Sequence, residues 1–342
     1  MTEKNKKILK KILNISFVAV ILILSIYALL DNLDINSFIE NLFNINWGYI
    51  FLAAPITILS HWIRAIRWKL YIEPIKKNVS TFNLFSAVMI GYAVNNFTPR
   101  GGEFVRPYIF ARREKCSKSA AIATIIVERV IDVIFLLLMF GVVFLASKEL
   151  ILKAFPWFES KTLTLMIASV FIVVVLLLLL LSTNLFDNLL NKILNKFSSK
   201  YTERIFGMWE SFKIGFQTLK TPKHYLINLF YSILIWLLYA ISSYFMFFAF
   251  DFQATANLGI VDAGLIIVVT GIGLSIAPVP AGVGVYHWLA VTTLVNLYPQ
   301  ISNEEALAYA TVFHGINLFI QILLGGVFML RENIRKIDFL KE

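Results

Sequence analysis

A single cysteine, Cys116, leaves the chain no partner for an intrachain disulfide and no thiolate spacing for a metal. Histidine is scarce too: four residues, none in an HxxxH or comparable cluster, so neither a metal nor a cofactor is expected. Charged residues make up only 15% of the 342, too few to coat a soluble protein that is 58% hydrophobic. Catalytic signatures are missing as well. There is no GxSxG, no HExxH and no nucleophile–base pair, and no loop is long enough for a soluble catalytic module. A non-enzymatic, polytopic membrane protein is the expectation.

What is present fits that class. Thirty Phe and seven Trp suit lipid-facing and interfacial packing. The formal charge of +10 points to cytoplasmic loops and anionic lipid rather than to a nucleic-acid partner. Runs near the 20 residues that cross a bilayer lie at Ile12–Leu30, Trp47–Ile72, Ala120–Ser147, Thr162–Thr183, Tyr225–Phe250 and Glu305–Leu330. The first follows five lysines but lacks a small-residue cleavage site, so it reads as a retained span, not a signal peptide. Two more apolar stretches are interrupted: Leu84–Lys115 at Pro99-Arg-Gly-Gly, and Ala263–Leu297 at Pro278-Val-Pro-Ala-Gly-Val-Gly.

Basic residues test the layout. If each interrupted stretch returns to the side it entered from, 27 of the 31 Lys and Arg lie inside with both termini. Only Lys148, Lys153 and Lys161 lie outside, and Arg129 is within a span. The expected fold is therefore all-α: about six full transmembrane helices plus two re-entrant helical hairpins arranged as an inverted repeat. In chain order it runs from an N-terminal span and external loop (1–46) to repeat 1 (47–147, hairpin 84–115). A span and basic amphipathic cytoplasmic linker follow (148–224), then repeat 2 (225–330, hairpin 263–297) and a cytoplasmic tail (331–342). The alternative is that each Pro-Gly stretch merely kinks an ordinary span. The linker Asn184–Lys223 reads either as a helix on the inner leaflet or as a solvated connection.

Irregular backbone and charge at membrane depth are costly unless buried in protein or lining a wet cavity. Asn95, Arg100, Gly101, Gly102, Glu103 and Arg106 surround the first break. With Thr98 near an N-cap and Pro99 in a first turn, this break can open a helix whose free N–H groups and Arg100 favour an anion. Pro280, Gly282, Gly284, Tyr286 and His287 surround the second break and offer another helix start. Glu128, Arg129 and Asp132 sit in an apolar span, with the two carboxylates four apart on one face. Expected partners are Arg100 or Arg106 for the carboxylates and Glu103 for Arg129. The group either locks a hairpin to a span or takes part in substrate binding or proton coupling. Arg64 and Arg67, flanked by Trp62 and Trp68, read as interfacial anchors or as a phosphate-capturing cytoplasmic mouth. His314, Asn317 and Gln321 form a stripe that serves helix–helix bonding or a pathway.

Arg64-Ala-Ile-Arg67-Trp68, Gly91-Tyr92, Asn95, Pro99-Arg100-Gly-Gly-Glu103 with Arg106, Glu128-Arg129 with Asp132, and Pro280-Ala-Gly-Val-Gly284 carry a resemblance. Over residues 47–330 the chain resembles the flippase-like membrane family typified by the transmembrane region of lysylphosphatidylglycerol synthase. The resemblance implies two inverted repeats with re-entrant hairpins and movement of a lipid between leaflets. The chain departs in carrying no aminoacyl-transferase domain, which argues against lipid aminoacylation. It also has Tyr286-His287 where family members often carry an acidic or basic residue. The leading functional expectation is a flippase for an anionic phospholipid or polyprenyl-phosphate-linked lipid in a bacterial or archaeal plasma membrane. A lipid-presenting subunit of a glycosyl- or acyl-transferase and a small-anion transporter are the alternatives. Expected partners are membrane lipids with anionic head groups, and either a second copy of the chain or a transferase.

Overall fold

The computed structural model describes residues 20–30, 33–155, 222–277 and 279–332, with scattered helical residues between 161 and 175. Among the described residues every regular element is helical. They are α1 (Val20–Leu30), α2 (Ile35–Phe43), α3 (Trp47–Ile72), α4 (Thr81–Phe97), α5 (Gly102–Glu114), α6 (Lys118–Ala146) and α7 (Lys148–Ala154). After the linker come α8 (Pro222–Ala249), α9 (Phe252–Ala256), α10 (Ile260–Ile276), α11 (Val285–Leu297) and α12 (Asn303–Arg331).

Four of these, α3, α6, α8 and α12, are long and apolar enough to cross a membrane. They hold 26, 29, 28 and 29 residues, which at 1.5 Å each exceed the roughly 30 Å hydrocarbon core. A fifth crossing arises if α1 and α2 count together, although they meet at 91°. The polytopic all-α expectation holds. Most of Thr162–Thr183, all of the linker Asn184–Lys223 except its last two residues, Pro278, residues 1–19 and residues 333–342 lie outside the described residues.

The segment after the first apolar run, expected as a loop, carries helix α2. Asp34 caps it, accepting from the Asn36 and Ser37 N–H groups at 2.9 and 3.4 Å and from the Ser37 hydroxyl at 2.8 Å. Ile35, Ile39 and Phe43 then fall on one exposed stripe.

Both interrupted stretches reverse direction instead of kinking. Each consists of a 17-residue arm followed by a 13-residue arm, and every arm is shorter than the roughly 20 residues a crossing needs. A Cβ on Gly102 would overlap the Gly91 carbonyl, whereas in a continuous helix those residues stand about 16 Å apart. A Cβ on Gly273 would likewise overlap the Leu289 side chain, across a sequence gap worth about 24 Å of straight helix.

The chain divides into two compact units, and the divisions fall inside helices. The first comprises residues 1–59, 89–102 and 238–342; the second comprises 60–88 and 103–237. In the first, α10 packs on α11, α11 on α12, and α12 on α2. Its helices are joined by neutral hydroxyl contacts: Thr57 with Ser242 at 2.8 Å, and Ser243 with Tyr309 at 2.8 Å. Phe247, Phe252 and Tyr309 fill the space between, with centroids 5.6 and 5.7 Å from the tyrosine. In the second unit the largely apolar interior also buries charged side chains, Arg64, Arg67, Arg106 and Glu128.

Candidate functional site

Arg64 and Arg67 lie three apart on α3, and Glu128 and Asp132 four apart on α6, so each pair occupies one helix face. In the second unit these faces meet. Arg64 Nη1 bridges Glu128 Oε1 at 2.9 Å and Asp132 Oδ2 at 2.8 Å. Arg67 donates to Asp132 and to the Ser232 hydroxyl (2.9 Å), and stands 3.6 Å from Glu128. Arg106, on α5, reaches Glu128 with both terminal nitrogens, at 3.1 and 3.0 Å. Arg129 folds back to Glu128 Oε1 at 3.3 Å and Asp132 Oδ2 at 3.0 Å.

Four arginines therefore converge on two carboxylates. Their seating is specific. The Arg106 guanidinium lies 3.9 Å above the Trp68 ring, a cation–π contact strengthened by exclusion of water. Trp68 is fixed in turn by donating to the Thr124 hydroxyl at 2.9 Å and packing on Phe110 at 5.1 Å. One turn further along α3, Tyr71 donates to Asn228 of α8.

Burial is graded across the cluster. Side-chain exposure is 0% at Glu128, 1% at Arg67, 7% at Arg106, 9% at Arg64, 16% at Asp132 and 40% at Arg129. The ionic group is thus closed on the Glu128–Arg67 side and open on the Arg129–Asp132 side. Arg67 Nε is buried with no acceptor among the described residues. Charges this deep are stable only when paired, because their desolvation otherwise costs several kcal/mol per ion.

The first break belongs to the other unit and is internally satisfied. Thr98 does not cap α5; its hydroxyl donates back to the Val94 carbonyl at 2.9 Å. Asn95 takes the capping role, accepting from the Gly102 N–H at 2.8 Å. The Gly101 N–H donates to the Thr98 carbonyl at 3.3 Å. Pro99 sits in the turn rather than in the first turn of α5, and Arg100 follows with φ 57°. Arg100 Nη2 donates to the Ser275 carbonyl at 2.5 Å, capping the last turn of α10. Glu103 stands in the first turn of α5, where a negative charge complements the helix dipole.

The second break is built differently. Pro280–Gly282 form one 3-10 turn, and Ala281, Gly282 and Gly284 take φ of 56°, 75° and 80°. No side chain caps α11 at Gly284. Tyr286 stacks on His314 at 4.6 Å and 19°, and His287 meets the same imidazole edge-on at 5.2 Å. The Tyr286 hydroxyl is buried and accepts or donates no hydrogen bond among the described residues. Asn317 donates to its own helix, at the Phe313 carbonyl.

Besides Thr98 and Pro99, and Arg100, which bonds the Ser275 carbonyl rather than a carboxylate, three expectations are corrected. Arg64 and Arg67 are buried ion-pair partners rather than interfacial anchors. Arg129 pairs with Glu128 and Asp132 rather than with Glu103. The N–H groups of Gly101 and Gly102 are bonded within the hairpin rather than free. Among the described residues no group of three or more His, Cys, Asp or Glu is arranged to hold a metal. Trp68, read only as a flank of Arg67, and Thr124, Asn228 and Ser232 were not anticipated as members of the cluster. The signal for the first was adjacency to Arg67; the others are small polar residues in apolar spans with nothing in the sequence to pair them.

The family described as the lysylphosphatidylglycerol synthase TM region matches residues 12–325. A UPF0104 membrane protein of Methanocaldococcus jannaschii is 34% identical over 125 residues, covering 36% of this chain and 37% of that protein. A UPF0104 membrane protein of Methanothermobacter thermautotrophicus is 30% identical over 131 residues, 37% of each chain. A third, of Pyrococcus horikoshii, is 25% identical over 303 residues, 83% of this chain and 87% of its own. The chain thus spans little more than a third of the first two relatives and most of the third.

Proposed function

The chain belongs to the family of the lysylphosphatidylglycerol synthase transmembrane region, and from that premise we propose that it moves an anionic, phosphate-bearing lipid between membrane leaflets. The lipid is a phospholipid or a polyprenyl-phosphate-linked species. One observation carries the reading: four arginines meet in a membrane-protein interior around two carboxylates, with one edge of the group open at Arg129. Guanidinium groups match phosphate oxygens in charge and in bidentate geometry. The head group enters at Arg129 and exchanges water for Arg64, Arg67 and Arg106. Ile126, Val133, Val142 and Leu145 on α6 are exposed and apolar, a surface on which acyl or prenyl tails stay in lipid.

The equal arm lengths of the two hairpins support an inverted repeat, and the distribution of basic residues supports cytoplasmic termini in a plasma membrane. Transport, rather than catalysis, is the role assigned. Reconstitution into vesicles containing chain-labelled phospholipids or polyprenyl monophosphate tests it. The expected result is faster leaflet exchange of at least one phosphate-bearing lipid, lost in Arg67→Gln that elutes as a folded protein. If the wild-type chain accelerates none of them, the transport reading fails.

A further inference from the structure

We infer that α2 is an in-plane membrane anchor, lying along the bilayer surface with Ile35, Ile39 and Phe43 sunk between head groups and acyl chains. Nine residues are too few to cross a bilayer. Helix α1 closes the apolar run Ile12–Leu30, which is long enough to cross, and exposes Ile23, Leu24, Tyr27 and Leu30. The chain then turns 91° into α2. A helix at right angles to a crossing one runs parallel to the membrane plane. Its level is set by the ends of three crossings. The Asp34 N–H donates at 3.2 Å to Glu304, in the first turn of α12. The Asn46 N–H donates at 3.0 Å to the carbonyl of Ala249, the last residue of α8, and α3 starts at Trp47. These helices overrun the hydrocarbon core by only a few residues at each end, so the level where they end is the head-group boundary.

The faces of α2 fit that seat. Ile35, Ile39 and Phe43 form an exposed apolar stripe. One position on, about 100° round the helix, Asn36, Glu40 and Asn44 form an exposed polar one. Phe38 and Leu42, less exposed, take the remaining side, and α2 packs on α12. The helix therefore has one side for protein, one for hydrocarbon and one for water. The apolar stripe is continuous with lipid-facing surface, since Trp47 and Phe51 at the start of α3 are exposed as well, and tryptophan favours the interface. Three side chains by themselves fall short of the roughly 800 Å² a side of a stable protein interface, so lipid is the occupant the surface fits. Charge plays no part in holding it. From Leu33 to Trp47 there is no Lys or Arg, while Asp34 and Glu40 are acidic, as are Glu304 and Glu305 beside them. Anionic lipid is not attracted to such a face; burial of the apolar stripe is the whole of its grip.

The test uses the full chain with Cys116→Ser, reconstituted in phosphatidylcholine vesicles and in an equal mixture of phosphatidylcholine and phosphatidylglycerol. Nitroxide labels are placed one at a time at Ile39→Cys and Glu40→Cys, and again at Phe43→Cys and Asn44→Cys, so that the second pair gives the reading if a member of the first does not fold. Each label is read by collision with oxygen, which concentrates in the bilayer, and with a nickel chelate, which stays in water. The expected ratio of oxygen to nickel collision is at least about threefold higher at Ile39→Cys than at Glu40→Cys, and likewise at Phe43→Cys than at Asn44→Cys, in both lipid mixtures. Equal, nickel-accessible labels on the two stripes overturn the inference, because α2 then stands in water. Labels at Ile39→Cys and Phe43→Cys shielded from both reagents also overturn it, because protein, such as a second copy of the chain, then covers the stripe. A difference that arises only with phosphatidylglycerol overturns the claim that apolar burial alone holds the helix.

Discussion

The two units handle polarity inside an apolar protein in opposite ways. In the second unit, full charges from α3, α5 and α6 gather on Glu128 and Asp132. In the first, the buried polar contacts are neutral pairs such as Thr57–Ser242 and Ser243–Tyr309, and the unusual chemistry lies in the backbone of two tight breaks. A paired hydroxyl is inexpensive and can be lost with little consequence. An ionic hub stands or falls as a group, because removing one member strands the others in a low dielectric. Concentrated charge therefore marks the candidate site, and scattered dipoles mark the packing.

Breaking the hub carries the largest expected effect. Glu128 is fully buried and touches all four arginines. Glu128→Ala removes the carboxylate that all four arginines share, at a cost of about 3–5 kcal/mol. The measurement is the unfolding free energy in detergent, with Glu128→Asp recovering part of it. A loss under about 1 kcal/mol would mean that water already reaches the hub and that the contrast between the units is overstated.

Next comes the backbone of the first unit. At Gly102 a Cβ would meet the Gly91 carbonyl and displace Asn95 from its capping bond. The obstacle is main chain, which cannot rotate aside, so Gly102→Ala is expected to cost about 1–3 kcal/mol. Gly326 is the control, since nothing lies within 4 Å of its added Cβ. Gly326→Ala is expected to be neutral or stabilising by a few tenths of a kcal/mol. The pair is read by thermal melting of both variants side by side.

How much of this was legible depends on the kind of interaction. The crossings of α3, α6, α8 and α12 follow from apolar run length, and their ends moved by no more than a few residues. The chain reversals at Pro99-Arg-Gly-Gly and Pro280-Ala-Gly were foreshadowed because proline and paired glycines stop helices in either environment. Glu128 and Asp132 announced a buried partnership through their spacing. Their partners were less legible. Charge complementarity alone offered Arg100 and Arg106 equally, and only the packing of α3 on α6 brings Arg64 and Arg67 to the carboxylates. Arg64 and Arg67 were read as anchors because flanking tryptophans usually mark an interface. Here Trp68 is instead the floor beneath Arg106. Helix α2 was missed because its cap, Asp34, falls among other polar residues that suit a loop as well.

Smaller again is the effect of removing one neutral pair. Tyr309→Phe deletes the hydroxyl bonded to Ser243 and keeps the ring against Phe247 and Phe252. Hydroxyl contacts between membrane helices average about 0.6 kcal/mol. Ser243, in mid-helix, can turn its hydroxyl to its own backbone. The expected loss is therefore about 0.5–1 kcal/mol by detergent unfolding. A loss as large as that of Glu128→Ala would erase the distinction between hub and pair.

The smallest effect isolates solvent as the cause of the difference. Asp34 is a carboxylate that accepts three hydrogen bonds, as richly partnered as Asp132 in number, yet it is exposed at the start of α2. The Ser37 hydroxyl, followed by the Ser37 and Asn36 N–H groups, holds its carboxyl below the ordinary aspartate value. With the folded value lowered, the cap contributes above the unfolded value, and the contribution disappears as pH falls through the folded one. Amide exchange at Asn36 and Ser37 is therefore expected to be slow at neutral pH and to gain protection-losing openings only in strong acid, below the usual aspartate range. Asp34→Ala should give those openings at neutral pH while leaving the global melt nearly unchanged. If it instead lowers the melt as Glu128→Ala does, exposure is not what separates the two carboxylates. The hub would then owe its weight to the number of bonds rather than to the absence of water.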